Sequence, residues 1–203
     1  AVEYAKNYGV PLVVRSSFTE HEGTVVKEEA GMEKGMVVRG IAYDKHISRI
    51  SVLGVPDVPG VLSKVFGALA EAQIDVDIIV QSGVTNGTAD FSFSVKDDVA
   101  EKALQVLEEI RSELNYRDVT TESGLVKVSI VGAGMVSNPG VAAKMFDIIS
   151  RQGVNIKMVS TSEIKVSCVI DSDKLTEVML ALHTEFGLNA DSQVFIGGPQ
   201  ERR

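Results

Sequence analysis

Two loops of the sequence carry residues that could bind a small anionic group beside the start of a helix. In each loop a strand-like apolar run ends at a glycine, and a Pro-Gly pair, Pro59-Gly60 or Pro139-Gly140, precedes a helix-like run. The first backbone N–H groups of a helix lack partners and lie at its positive dipole end, so this position favours a carboxylate. Asp57 is predicted to cap the first of these helices through its side chain. A tight turn followed by a helix cap is the simpler explanation of the same pattern.

Uncharged polar residues stand at the ends of the strands that follow these two helices. Gln81 and Ser82 end one such strand, and the Ser-Thr-Ser run at 160–162 ends its counterpart, with Asn155 close by. Beside a helix N-terminus, such groups can fix the ammonium and carboxylate groups of an amino acid. Polar residues are also common wherever a strand end faces solvent, and the spacing alone fits that explanation equally well.

Other chemistries find little support in the residue patterns. Gly132-Ala133-Gly134 follows a strand-like run, but Ser137 stands where a dinucleotide-binding fingerprint needs a third small residue, and no acidic residue ends the next strand. No phosphate-binding loop, nucleophile elbow or zinc-protease motif occurs. The sequence has three histidines, which share no metal-ligand spacing: His21, His46 and His183.

Composition and charge restrict the class of protein. The 203 residues are 44% apolar and 24% charged, as in an ordinary soluble globular protein. The net charge of −8 argues against a nucleic-acid partner, because phosphate binding needs a basic surface. No window approaches the ~18 apolar residues of a membrane span, and no signal peptide opens the chain, so we expect no membrane partner and a cytoplasmic location. The single cysteine, Cys168, lies in an alternating apolar run and is predicted to be a buried thiol.

The elements that would position the candidate residues occur twice in the chain. The runs SVLGVPDVPGVLSKVFGAL, from Ser51, and SIVGAGMVSNPGVAAKMFDII, from Ser129, share one order of strand, loop, Pro-Gly pair and helix. A repeat of this size indicates two copies of one structural unit. We refer to them as the first copy and the second copy.

Each copy is predicted to contain β-α-β-β-α elements plus a closing strand. The first copy has β-rich residues at 74–81, an Asn-Gly hairpin at 85–88 and a strand at 116–122, and the second has strands at 154–160 and 164–170. This pattern predicts an α+β fold with two ferredoxin-like βαββαβ domains in tandem, each a four-stranded antiparallel sheet with helices on one face. Units of about 75 residues are only marginally stable alone, so pairing of units is expected.

Several blocks of the sequence resemble the tandem ACT domains of bacterial aspartate kinase. They are SVLGVPDVPGVLSKVF, VDIIVQS, KVSIVGAGMVSNPGVAAKMF and VNIKMVSTSEIKVSCVI. The segment YGVPLVVRSSF, with a Gly-Thr pair ending at position 24, resembles the last strand region of that enzyme's kinase domain. The resemblance covers nearly the whole chain, and the VGAGM-x(3)-PGV and STSEIKVS blocks are highly specific.

The resemblance implies a domain order along the chain. Residues 1–35 would be the C-terminal tail of a kinase domain and a linker, and residues 36–43 a strand given to the second ACT domain. Residues 44–123 and 124–198 would be the first and second ACT domains, followed by a tail at 199–203. The lysine- and glycine-rich kinase motif is absent, so the chain would be a regulatory portion or a separately made β subunit.

The resemblance also implies a function and its partners. The family's kinase domain phosphorylates L-aspartate from ATP, so ATP and Mg²⁺ would belong to that domain, and no cofactor is expected in this chain. The ACT domains would form a homodimer, associate with a catalytic α subunit or kinase domain, and bind L-threonine, L-lysine or both for feedback inhibition. Such an effector would shift the enzyme toward an inactive arrangement.

Two effector sites follow from the resemblance, each between ACT domains of two chains. A threonine-like site would use residues of both copies: Asp57, Leu62, Gln81, Asn155 and Ile156. A second, lysine-like site would use Asp75, Asn138, Gly140, Ala142, Ser162 and Glu163. The family carries a histidine where Asn138 stands and a threonine where Ala142 stands, so the second site departs from the family's pattern.

Four alternatives fit parts of the same sequence. An ACT subunit of another amino-acid biosynthetic enzyme, such as the acetolactate synthase small subunit, is opposed by the segment at 1–24 and the STSEIKVS block. An ACT module that only assembles the enzyme would bind no effector. An RNA-binding ferredoxin-like fold would need sheet aromatics and a basic face, and a standalone enzyme would need a catalytic constellation.

Overall fold

The computed structural model describes residue 5 and residues 8–19, 21–26, 37–132, 135 and 138–188. The chain divides into two compact units, residues 1–36 and residues 37–203. In the first unit, β1 (Leu12–Val14) and β2 (Thr24–Val26) pair antiparallel, with Val13 opposite Val25. Residues 27–36, which include the predicted linker at 28–35, and the predicted tail at 199–203 lie outside the described residues.

The second unit is built on one antiparallel sheet of six strands in the order β4-β5-β3-β6-β8-β7. Its strands are β3 (Gly40–Pro56), β4 (Ile79–Gln81), β5 (Thr88–Lys96), β6 (Asp118–Val131), β7 (Met158–Thr161) and β8 (Lys165–Asp171). Its helices are α1 (Val61–Glu71), α2 (Asp97–Glu109), α3 (Arg111–Leu114), α4 (Val141–Arg151) and α5 (Leu175–Glu185), with a 3-10 turn at Ser172–Lys174.

The tandem ferredoxin-like fold is as predicted, but the two four-stranded sheets are joined by shared strands. Gly40–Asp44 of β3 pairs with Lys127–Val131 of β6, within the second copy. Further along, Arg49–Leu53 pairs with Asp118–Glu122, within the first copy. No proline or glycine separates the two halves of β3 between Ile41 and Leu53, so the chain continues as one bulged strand.

The helices of each copy cover one face of its half of the sheet. In the first copy, Val65 and Leu69 of α1 pack with Leu107 of α2 over Ile50 and Phe93. In the second copy, residues of α4 and α5 pack over the alternate residues of β6 and β8: Met145, Ile148, Val178, Leu182, Val126, Val128 and Cys168. The amphipathic spacing that predicts the helices is therefore the spacing that fills two equivalent cores.

Some predicted elements are shorter than the sequence pattern indicates. In the β-rich run at 74–81, only Ile79–Gln81 forms a strand, and in the run at 154–160 the strand begins at Met158. The hairpin at 85–88 is confirmed: Asn86 and Gly87 have φ of 53° and 76°, and Thr85 and Thr88 exchange two backbone hydrogen bonds. The described helices include none that is long and apolar enough to cross a bilayer.

Candidate functional site

A cavity of about 460 Å³ opens between the loop before α1 and the strands β4 and β5. Its lining comes from three short segments of the first copy: the loop and first helical turn at 55–63, the end of β4, and the start of β5. Three of the predicted site residues, Asp57, Leu62 and Gln81, are among those that line it. The structure thus brings together all of the first-copy residues predicted for the threonine-like site.

The floor of the cavity is apolar. Val55, Ala89 and Phe91 are each at most 5% exposed. The Phe91 ring lies 6.0 Å from the ring of Phe66 and 6.3 Å from that of Phe93, so two further aromatic rings pack against the Phe91 ring of the floor. The floor is therefore part of the packed core of the first copy, and a ligand would rest on side chains that are already buried.

One wall of the cavity is the N-terminus of α1. Gly60 is the cap residue of this helix, with φ of 94°, a value that favours glycine. The prediction that Asp57 caps the helix is wrong, because the Pro59-Gly60 turn places the helix start at Val61 and no side chain bonds the first turn. The Val61 N–H donates to the carbonyl of Val58 at 3.5 Å and the Lys64 N–H to that of Gly60, so within the described residues the Leu62 and Ser63 amides remain available to a ligand carboxylate.

The polar side chains of the site stand on fixed backbone. The backbone N–H of Asp57 donates to the carbonyl of Gly87 at 3.0 Å, which holds this loop against the β4–β5 hairpin. Gln81 is opposite Phe91 in the β4–β5 register. Both Asp57 and Gln81 are exposed, and among the described residues the Asp57 carboxylate forms no hydrogen bond or ion pair.

These groups together suit a small zwitterion. Helix amides can donate hydrogen bonds to a carboxylate, the Asp57 carboxylate can pair with an ammonium group, and the Gln81 amide can both donate and accept. The described residues contain no group of three or more histidine, cysteine or acidic side chains that could hold a metal ion. An α-amino acid carries both an ammonium and a carboxylate group, so it is a small ligand that matches all three of these protein groups.

The other two residues predicted for this site lie elsewhere in the chain. Asn155 and Ile156 follow α4 in the second copy, and neither lines the cavity. Asn155 is exposed, whereas Ile156 packs partly against the core of the second copy. Within one chain the cavity is thus formed by the first copy alone.

None of the residues predicted for the second, lysine-like site lines this cavity. Gly140 caps α4 with φ of 99° as Gly60 caps α1, and Ala142 follows it in the first turn. The backbone N–H of Ser162 donates to the carbonyl of Lys165 at 2.7 Å, and Asp75, Asn138 and Glu163 are exposed. Residues 133, 134, 136 and 137, which precede this helix, lie outside the described residues, so the second site stays a prediction.

Sequence reasoning missed the apolar floor and the hairpin anchor of the site. No local sequence pattern indicates that Phe91 or the Gly87 carbonyl belongs to the site. The strand register places Val55 opposite Ala89, and only that register brings both residues under the loop. The Gly132 of the Gly-Ala-Gly run has a packing role, because a Cβ there would lie 2.0 Å from the carbonyl oxygen of Val37.

Comparisons with known proteins agree with this architecture. ACT domain family models match residues 48–114 and residues 128–186. An aspartokinase of Bacillus sp. strain MGA3 is 49% identical over 192 residues, which are 95% of this chain and 47% of that protein. The chain therefore spans about half the length of the curated relatives it matches.

Two solved structures match almost over their whole length. The regulatory subunit of aspartate kinase from Thermus thermophilus is 38% identical, with a TM-score of 0.69 over 73% of this chain and 97% of that one. A chain from a structure of aspartokinase alpha and beta subunits is 45% identical, with a TM-score of 0.69 over 74% of this chain and 99% of that one. With its two ACT domains on a shared sheet, this chain belongs to the family of aspartate kinase regulatory regions.

Proposed function

We propose that this chain senses an end-product amino acid, L-threonine, L-lysine or both, for feedback control of aspartate phosphorylation. The observation that carries the proposal is the cavity that joins Asp57, Leu62 and Gln81 at the N-terminus of α1. A zwitterionic amino acid would place its carboxylate at the helix amides and its ammonium group toward Asp57. Its side chain would lie over Phe91 and within reach of Gln81.

The complete site would form between two copies of this chain. The edge strands β4 and β7 both present apolar side chains to solvent: Ile79 is 49% exposed, Val80 is 42% exposed and Val159 is 37% exposed. An uncovered apolar edge strand favours pairing with another chain. In such a dimer, Asn155 and Ile156 of the partner's second copy would close the cavity. This arrangement accounts for their absence from the lining within one chain.

Effector binding would act by shifting a population of arrangements. The kinase part of the enzyme would carry out the transfer from ATP to L-aspartate, giving 4-phospho-L-aspartate, with Mg²⁺ held there. A dimer closed by effector would favour an inactive arrangement of the attached kinase parts, either fused to this chain or supplied as a catalytic α subunit. A coupling of ~1–3 kcal/mol would give roughly 5–150-fold inhibition.

Calorimetric titration with L-threonine and then L-lysine, with light scattering alongside, tests this function. We expect saturable binding to a dimer, lost in Gln81→Ala. Gln105→Ala is the matched control, because Gln105 is exposed on α2 and outside the cavity. A folded dimer that binds neither amino acid would support a module that only assembles the enzyme. Binding of another amino acid alone would support a regulatory subunit of a different biosynthetic enzyme.

Two predictions accompany the proposal. Saturable lysine binding that Asn138→Ala removes would support the second site, which uses Asp75, Asn138, Gly140, Ala142, Ser162 and Glu163. The expected cytoplasmic location is consistent with an enzyme of amino-acid biosynthesis and would be tested by fractionating cells that express the native gene.

A further inference from the structure

A third apolar cluster lies on the face of the sheet opposite the helices. We call it the junction, and it consists of five residues that are each at most 5% exposed: Ile47, Ile78, Leu125, Met158 and Val169. Strand alternation places Ile47 and Leu125 on the opposite face from the helix-facing Ile50 and Val126. None of the described helices contributes to this cluster, and its members come from strands and pre-strand loops of both copies.

Two equivalent loops lead into the junction. Ile78 ends the loop between α1 and β4, and its equivalent in the repeat, Met158, is the first residue of β7, directly after the loop that follows α4. Ile47 and Leu125, which face each other across β3 and β6, are also equivalent in the repeat. Equivalent residues of the two copies therefore meet at the junction, related by pseudo-twofold symmetry. The ends of the pre-strand loops pack there on the centre of the shared strands β3 and β6.

Ion pairs also attach each loop to the sheet. In each copy the paired residue, Asp77 or Lys157, directly precedes the junction residue. Asp77 forms an ion pair with Lys127 of β6, whose side chain is only 15% exposed. Lys127 also lies 3.7 Å from Asp44, its neighbour across β3, and Asp44 pairs with Lys96. We call these four residues the first ion cluster. It attaches the first copy's loop to a strand pair of the second copy.

A corresponding group of ion pairs holds the loop of the second copy. Lys157 Nζ lies 2.6 Å from Glu122 Oε1 and 3.5 Å from Asp171. Glu122 Oε2 lies 2.7 Å from Arg49 Nη2, and Arg49 donates a hydrogen bond to the Lys157 carbonyl at 3.2 Å. The bond with Glu122, more than any other effect, raises the pKa of Lys157. This second ion cluster attaches the second copy's loop to a strand pair of the first copy.

The two clusters occupy equivalent positions in the repeat, but two of the four positions carry opposite charges in the two copies. The cross-strand pairs keep their charges, with Asp44 and Lys127 in one cluster and Glu122 and Arg49 in the other. The remaining two positions are reversed: the loop residue is Asp77 or Lys157, and the residue that ends the third strand of the copy is Lys96 or Asp171. Each cluster therefore holds two positive and two negative charges, and exchange of one loop residue alone would unbalance it.

The two loop residues that form these ion pairs, Asp77 and Lys157, each lie two positions after a residue predicted to belong to an effector site. Asn155 precedes Lys157, and Asp75 precedes Asp77, in short loops that have no regular structure. We propose that Lys157 and Asp77 are positioning residues, which hold Asn155 and Asp75 for the partner's effector sites by attaching each loop to the other copy. This inference rests on the proposed function. Because both loops meet at the junction, occupancy of one site would also bias the loop of the other.

Calorimetric titration with L-threonine of a set of charge variants tests this proposal. Lys157→Asp would place a third carboxylate beside Glu122 and Asp171, and we expect threonine affinity to fall about fivefold or more. The double variant Lys157→Asp with Asp171→Lys reproduces the charges of the first ion cluster, and we expect it to restore wild-type affinity to within about twofold. Lys174→Asp is the matched control, since Lys174 pairs with Glu177 alone among the described residues and lies outside both clusters.

Hydrogen exchange at residues 154–158 gives a second readout that does not need the ligand. We expect faster exchange in Lys157→Asp and normal exchange in the double variant, while the helices keep their protection in both. Folded variants with unchanged affinity and exchange would overturn the proposal, as would a double variant that fails to restore both. Wild-type protein that binds neither L-threonine nor L-lysine would remove the proposed function. In that case unaltered loop exchange in Lys157→Asp would overturn the anchoring as well.

Discussion

The backbone N–H of Asp57 donates a hydrogen bond to the carbonyl of Gly87 at 3.0 Å, across the gap between the site loop and the hairpin turn. The position of the carboxylate therefore depends on a turn that the ligand would not touch. Gly87 has φ of 76°, so the turn in its present form depends on a residue without a Cβ.

Gly87→Ala should destabilise the protein by about 1 kcal/mol, because alanine adopts a left-handed backbone at that cost. A Cβ at Gly87 would meet nothing within 4 Å, so the effect would come from backbone strain alone. Gly83→Ala is the matched control, since Gly83 is equally open but has no positive φ. Urea denaturation of both variants measures the difference, and equal stability of the two would contradict this reading of the turn.

Lys127→Met should lower the free energy of unfolding by about 1–2 kcal/mol, because it removes the cation that Asp44 and Asp77 share: Asp77 loses its ion pair, and Asp44 keeps only its pair with Lys96. The methionine keeps the apolar stem of the side chain, so packing changes little. Lys64→Met is the control: the Lys64 side chain is 59% exposed and pairs with the exposed Glu113, so its loss should cost less than about 0.5 kcal/mol. Thermal denaturation of both variants is the measurement, and a Lys127 variant as stable as the control would contradict the prediction.

Cys168 should resist alkylation until the protein unfolds. Burial raises the pKa of this thiol to about 12, and its sulfur lies 4.0 Å from that of Met145 in the second core. Iodoacetamide at pH ~8 should therefore modify native protein far more slowly than protein in denaturant. Rapid labelling of the native state, followed by mass spectrometry, would show that the core of the second copy opens more easily than its packing indicates.

Cys168→Ser tests how well the core of the second copy tolerates a polar atom. Its hydroxyl would need a hydrogen-bond partner in an apolar environment, so we expect a loss of about 1–3 kcal/mol. Cys168→Ala removes the sulfur without adding a polar atom and should cost less. A serine variant that is as stable as the alanine variant would indicate a partner or a water molecule near this position.

The ion pair between Arg151 and Glu185 should make the stability of the second copy depend on pH. Their atoms Nη1 and Oε1 lie 3.0 Å apart between α4 and α5, and the hydrogen bond from Arg151 lowers the pKa of Glu185 below its ordinary 4.5. A lowered carboxylate pKa stabilises the fold at pH above the unfolded value, and this stability is lost as pH falls through the folded value. Melting temperatures of wild type and Glu185→Gln should differ at neutral pH and converge in acid below 4.5. A difference that stays constant into acid would contradict this assignment.

The repeated sequence predicts most of the fold because local patterns and tertiary structure agree there. Phe91 and Phe93 alternate with Ser92 and Ser94, and both rings face the helices as this spacing indicates. The Asn86-Gly87 pair forms the turn that its residues favour. Both Pro-Gly pairs end in a glycine cap followed by a helix, in which Gly60 and Gly140 have almost the same φ.

The run at 74–78 shows where local pattern fails. Its β-branched residues favour a strand, yet Ile74 packs in the first core and Ile78 in the junction, and only Ile79–Gln81 pairs as a strand. Tertiary packing decides the conformation here, and residues far apart in the chain provide it. The same limit applies to the site: Asp57 and Gln81 follow from the resemblance, whereas the floor and the two ion clusters depend on strand register that no local pattern contains.

A mixture of two variants that each fail to bind L-threonine tests most directly whether the effector site is shared between two chains. Asp57→Ala and Asn155→Ala should each abolish L-threonine binding alone, since each removes one side of both sites in a symmetric dimer. After unfolding and refolding together, mixed dimers would contain one site with Asp57 and Asn155 both intact, so about a quarter of the wild-type binding capacity should return. Calorimetric titration of the mixture measures that capacity. If wild-type protein binds L-threonine but the mixture recovers none of it, the site lies within one chain and the shared-site account is wrong.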